Sequence, residues 1–119
     1  MYQDLIIDLY KNPANARAIP NADITHSGAN VTCGDRVRIY VKFGENATVA
    51  DCSFEGEGCA ISTAAASLLT EETKGKTLEE INAWNILTIF QWLGSELSPS
   101  RVKCGLLALE TLQEGIKRK

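Results

Sequence analysis

The chain has 119 residues, with 12 Lys+Arg, 15 Asp+Glu, one His and four Cys, and a formal charge of −3. That length suits one domain, and 45 % hydrophobic with 23 % charged residues argues against intrinsic disorder. The mildly acidic balance disfavours a phosphate backbone as partner, and no apolar run approaches the ~20 residues of a membrane span.

Met1-Tyr2-Gln3-Asp4 has neither a basic stretch nor a cleavable apolar segment, so the chain is expected to be soluble and cytoplasmic, with reduced thiols. Leu5, Ile6 and Leu9 sit at helical spacing within residues 2–10, and Asn12-Pro13 stops that helix because a residue before proline is pushed out of the α region. Residues 12–30 are polar, hold Pro13, Pro20 and Gly28, and read as an irregular arm, with a poorly patterned strand near 23–32. From Arg36 the period becomes two. Val37, Ile39, Val41 and Phe43 face one way, while Arg36, Arg38, Tyr40 and Lys42 face the other. Gly44-Glu45-Asn46 is a turn signal, and Ala50, Cys52 and Phe54 then alternate against Val49, Asp51 and Ser53, completing an antiparallel hairpin.

Glu55-Gly56-Glu57-Gly58 reads as a flexible link into an Ala-rich helix from Cys59 to Lys74-Gly75. Thr77 with Glu80 forms a capping box opening a helix expected to run from Leu78 to Trp92 and to end at Gly94. Ser98-Pro99-Ser100 introduces a last helix carrying Val102, Leu106, Leu109 and Leu112. Strands followed by helices predict an α+β fold: a small antiparallel sheet of about three strands, covered on one face by the C-terminal helices. One domain over residues 1–119 is expected, with an N-terminal arm over about 1–22.

In a reducing compartment, four cysteines favour metal or sulfur chemistry over disulfides. They stand at 33, 52, 59 and 104 with no Cys-x-x-Cys pair, so any site must be assembled from remote segments. Cys59 and Cys104 fall at or near helix N-termini, where the helix dipole and free N–H groups favour a thiolate, and Arg101 and Lys103 add positive charge nearby. Asp35, two residues after Cys33, can return to the same side of an extended chain. Three thiolates and one carboxylate would make a tetrahedral metal site. The competing view treats each cysteine as a small buried hydrophobe, and it suits Cys52, placed mid-strand on the apolar side. His26 reads as a solvated loop residue, and Trp84 and Trp92, eight apart on one helix, read as core anchors.

Residues 32–36 (Thr-Cys-Gly-Asp-Arg), 54–63 (Phe-Glu-Gly-Glu-Gly-Cys-Ala-Ile-Ser-Thr) and 101–104 (Arg-Val-Lys-Cys) resemble the three signature segments of the SufU/IscU family, including the NifU N-terminal domain. Tyr10-Lys-Asn-Pro-Ala-Asn15, Ser67-Leu-Leu-Thr70 and Lys74-Gly-Lys76 extend the likeness over about residues 2–112. The resemblance implies a SufE/IscU-like fold and an iron–sulfur cluster assembly protein. By that likeness Cys33, Asp35, Cys59 and Cys104 bind zinc, iron or a transient 2Fe–2S cluster, while Cys52 matches no ligand. It also implies two partners, a cysteine desulfurase and recipient apo iron–sulfur proteins, with Cys33 or Cys104 accepting persulfide sulfur. Lys103 stands where the IscU branch has His, as in SufU, yet the insertion usual in SufU between the second and third cysteines is absent. A zinc-dependent sulfurtransferase that houses no cluster is the alternative. An independent catalytic enzyme is not expected, since there is no Ser/His/Asp set, phosphate-cradling Gly loop or spare His base.

Overall fold

Alternation sets the sheet. Strand β2 (Asp35–Phe43) lies between β1 (Ile24–Asn30) and β3 (Val49–Glu57), antiparallel to both. The chain is described here by a computed structural model that covers residues 2–32 and 34–118. Val37, Ile39 and Val41 point to the helix-covered face, where Ile39 and Val41 are fully buried. Burial of this kind stabilises each large aliphatic side chain by about 1.5–3 kcal/mol.

Among the described residues, five α-helices accompany the sheet: α1 (Tyr2–Lys11), α2 (Ala60–Thr73), α3 (Leu78–Asn82), α4 (Ile86–Leu93) and α5 (Val102–Lys117). Helix α5 lies against β1 and β2, and α2 lies against β3, α5 and α1. The small side chains of Ala64, Ala65, Ala66 and Ser67 are buried, giving α2 a slim body that several neighbours can approach. Thr70 and Thr73, also buried, turn their hydroxyls back onto the carbonyls of Ala66 (2.8 Å) and Leu69 (2.7 Å), so neither donor is orphaned. Gly28 lets α5 sit close to β1: a Cβ there would fall 2.1 Å from Thr111 Oγ1.

The connection between α1 and β1 is anchored at both ends. It bridges the outer edge of β3 at Ala16–Phe54 and ends where the Asp23 N–H donates to Val41 O (2.8 Å). Along the way it crosses the face opposite the helices, where Lys42 Nζ donates to Asn21 O (3.1 Å). Ile19, Tyr40 and Ser53 are buried there.

Five expectations need correction. The alternation Ala50/Cys52/Phe54 breaks at its first member: pairing shifts from Lys42–Asp51 to Phe43–Val49, so a β-bulge leaves Ala50 exposed and puts Val49 inside. Residues 55–57 are not a flexible link; Glu55, Gly56 and Glu57 pair with Arg38, Val37 and Arg36 and extend β3. The single helix expected from Leu78 to Trp92 is two helices. Asn85 caps a new N-terminus by accepting from the Leu87 N–H (2.9 Å), while its own N–H donates to Thr88 Oγ1 (3.2 Å), and this reciprocal cap competes with continuation. Trp84 therefore lies in the link between α3 and α4 while Trp92 lies on α4, their rings T-shaped with centroids 4.9 Å apart. Finally, His26 lies in β1, half-buried and facing α5 near Gly115, rather than in a solvated loop.

Candidate metal centre

Three segment ends meet beside the open end of the sheet. Asp35 is the first residue of β2 and is buried at 2 % exposure. Cys59 is the N-cap of α2, its sulfur accepting from the Ser62 N–H (3.4 Å). Cys104 lies in the first turn of α5 and is buried at 1 % exposure. One ligand atom from each of Asp35, Cys59 and Cys104 lies within 4.8 Å of the others. Ligand atoms of a tetrahedral site with bonds of about 2.0–2.3 Å stand about 3.5–4 Å apart, so closure by about 1 Å would suffice.

Local sequence explains the convergence. Cys59 ends an extended segment (φ −74°, ψ 172°) and opens α2, leaving its sulfur among the free N–H groups of the first helical turn. Its own N–H donates to Asp35 Oδ1 (3.1 Å), tying the start of α2 to the start of β2. Ser62 Oγ donates to the Cys59 carbonyl (3.1 Å) and accepts from the Cys59 thiol (3.7 Å), so both of its bonds hold the same cysteine. A Cβ at Gly58 would lie 2.2 Å from Ser62 Oγ and 3.1 Å from Asp35 Oδ1, so a side chain there would displace the very groups that meet.

The donor set fits a metal on its chemistry. Asp35 Oδ2 is buried and has no hydrogen-bond partner among the described residues, a costly condition for a carboxylate unless a cation completes it. Two sulfurs beside one carboxylate oxygen suit zinc or iron in a thiolate-rich site. Of the residues singled out from the sequence, Asp35, Cys59 and Cys104 come together, while Cys33 lies outside the described residues. Cys52 is elsewhere, fully buried in β3, where burial pushes its thiol up to about 12. Such a thiol is not a nucleophile at neutral pH. Sequence reasoning passed over Ser62 and Gly58. The signal for Ser62 was Cys59-x-x-Ser62, which has the spacing of a capping box with sulfur as the acceptor.

Residues 1–118 match the family model described as the NifU-like N-terminal domain. The chain is 33 % identical to the zinc-dependent sulfurtransferase SufU of Bacillus subtilis over 99 % of its own length and 90 % of the relative's. It is also 33 % identical to the iron–sulfur cluster assembly scaffold protein IscU of Thermotoga maritima, over 99 % and 94 % of the two chains. Among solved structures, a putative SUF-system scaffold protein from Fervidobacterium islandicum superposes with a TM-score of 0.78 at 32 % identity, over 95 % of this chain and 94 % of the other.

Proposed function

Since the chain belongs to the NifU-like N-terminal domain family, we propose that it is an iron–sulfur cluster assembly protein whose site comprises Cys33, Asp35, Cys59 and Cys104. It receives sulfur from a cysteine desulfurase, holds zinc, iron or a nascent 2Fe–2S cluster, and passes its cargo to apoproteins. The observation that supports this most directly is the meeting of Asp35, Cys59 and Cys104 with the Asp35 Oδ2 lone pairs unclaimed. Cys33, two residues before Asp35 in sequence, supplies the fourth ligand. When bound, a thiophilic cation keeps the thiols ionised and joins the starts of β2, α2 and α5.

The residues divide the work. Cys59 is held by its place at the α2 N-terminus and completes the cage. Asp35, a harder ligand than the three sulfurs, is the one displaced when cargo arrives or leaves. Cys33 or Cys104, as thiolate, attacks the outer sulfur of the desulfurase persulfide. One sulfur–sulfur bond forms as the other breaks, and the desulfurase cysteine departs as thiolate, so the exchange needs no outside oxidant or reductant.

The test is anaerobic reconstitution with iron and sulfide, alongside metal analysis of the fresh protein. About one metal equivalent per chain, as one tetrahedral site requires, and a visible 2Fe–2S chromophore, both lost in Cys59→Ser, are expected. A protein with neither metal nor chromophore overturns the reading. A second reading, relay of sulfur without a cluster, draws on the likeness to a protein named a zinc-dependent sulfurtransferase. Tight zinc and stimulation of a desulfurase with no chromophore would decide for it.

A further inference from the structure

We infer that Asn30 is a positioning residue for the metal centre, its carboxamide N–H donating into the ligand set formed around Asp35, Cys59 and Cys104. The inference rests on the metal-site reading above and adds a residue to it.

Asn30 is the last residue of β1 and pairs directly with Asp35, the first of β2. Opposed residues of an antiparallel pair project to the same face with Cβ atoms about 4.5–5.5 Å apart, so the Asn30 amide and the Asp35 carboxylate stand side by side. Each carries a buried atom without a hydrogen-bond partner among the described residues: Asn30 Nδ2 and Asp35 Oδ2. A buried donor beside a buried acceptor, with neither paired, is an arrangement that selection would remove from a merely structural corner. A third group that takes the carboxylate lone pair and leaves anionic ligand atoms needing donors gives both atoms a purpose.

The course of α5 puts the same amide near the sulfurs. Gly115 lies over Ile24 and His26, and Thr111 over Gly28, so the helix runs back along β1 as the strand advances. Two strand residues, about 6.6 Å, correspond to about four helical residues, about 6 Å. The next inward strand position, Asn30, thus lies beneath the turn at about residue 107, and Cys104 follows one turn further on. The backbone of Asn30 serves the site as well: its carbonyl accepts from the Gly34 N–H (2.8 Å), tying the end of β1 to the residue that precedes Asp35.

Groups that hydrogen-bond metal ligands commonly govern affinity by ten- to a hundredfold. The experiment uses cobalt(II) as a coloured probe on the full chain, comparing wild type with Asn30→Leu, which keeps the branched shape and removes the donor. The expected result is a loss of cobalt affinity of about tenfold together with an altered visible cobalt spectrum. The metal-free protein should melt no lower than wild type, because a buried unpartnered amide has been removed. Cobalt affinity equal to wild type, or weakened binding with an unchanged spectrum, overturns the inference. Should Asn30→Leu not fold, Asn30→Ala is read by the same two criteria. A wild-type protein that binds no cobalt would instead sink the metal-site reading itself, which keeps the two failures apart.

Discussion

The two ends of α2 are built differently. At its C-terminal end, Asn15 Nδ2 donates to Thr70 Oγ1 and Glu71 Oε1 (3.2 Å each), and Lys74 Nζ donates to Asn15 Oδ1 (2.8 Å). The neighbouring backbone is engaged too, since the Phe54 N–H donates to Asn15 O (2.9 Å). At the N-terminal end stand two thiols and a buried carboxylate, with Asp35 Oδ2 and Asn30 Nδ2 left without hydrogen-bond partners. One end spends its polar groups on holding the N-terminal segment to the helix. The other keeps them for something outside the chain. Two serine hydroxyls, Ser53 Oγ and Ser67 Oγ, also lack partners elsewhere among the described residues, but the unpartnered carboxylate and carboxamide stand together at this one end. The difference teaches that stability and chemistry have been separated along a single helix.

Breaking the satisfied end should give the largest stability effect. Asn15 has φ 61°, a left-handed conformation that suits Asn and Gly but not Ala. Asn15→Ala removes three side-chain hydrogen bonds and strains the backbone, and should lower unfolding free energy by about 2–3 kcal/mol. Asn15→Gly removes the same bonds and keeps the conformation, so it should cost about 1 kcal/mol less. Urea unfolding of both variants gives these values. Metal affinity should be unchanged in each, and a parallel loss of affinity would show that the ends of α2 are coupled after all.

How much of this division could be read from the sequence varies by segment. The β2 alternation, the Ala-rich run and the Pro99 signal define elements by periodicity, and each appears where expected. The β-bulge at Ala50 escaped because one inserted residue reverses the inward side without altering composition. The break at Ala83–Asn85 escaped because an Asn-capped restart inside a helical pattern looks like a continuous apolar stripe. For the site, spacing alone left metal binding and buried thiols as rivals, and the family likeness chose between them. Asn30 carried no signal at all, because its significance lies in a cross-strand register with Asp35 that no local pattern encodes.

The buried, inert cysteine sharpens the contrast with the site thiols. Burial raises the Cys52 thiol from 9.0 to about 12. A group whose folded value is raised binds its proton more tightly in the native state, so its contribution is intact below the unfolded pKa and is lost as pH rises through the folded one. Between pH 9 and 12, wild-type stability should therefore fall by up to about 1.4 kcal/mol per pH unit on account of Cys52. Cys52→Ala, less stable at pH 7 because of the cavity, should show a shallower decline. Urea midpoints from pH 8 to 10.5 give the two slopes, and equal slopes would mean that Cys52 is ionised as easily in the fold as out of it.

The smallest effect belongs to the pair that pins the crossing segment to β3. Arg17 donates to Asp51 Oδ1 at 2.7 Å, with the two side chains 46 % and 35 % exposed. The guanidinium holds the Asp51 carboxyl below its ordinary value, chiefly through that hydrogen bond. A depressed carboxyl contributes above its unfolded pKa and loses that contribution as pH falls through the folded one. Because solvent screens the pair, Asp51→Asn should cost only about 0.5 kcal/mol at pH 7. The amide keeps an acceptor for the Cys52 N–H, which donates to Asp51 Oδ1 (2.9 Å), so the variant isolates the charge. The wild-type advantage should shrink in 1 M salt and vanish in acid, once the carboxyl is protonated. An advantage that persists in acid would mean that shape, not charge, secures the crossing segment at this edge.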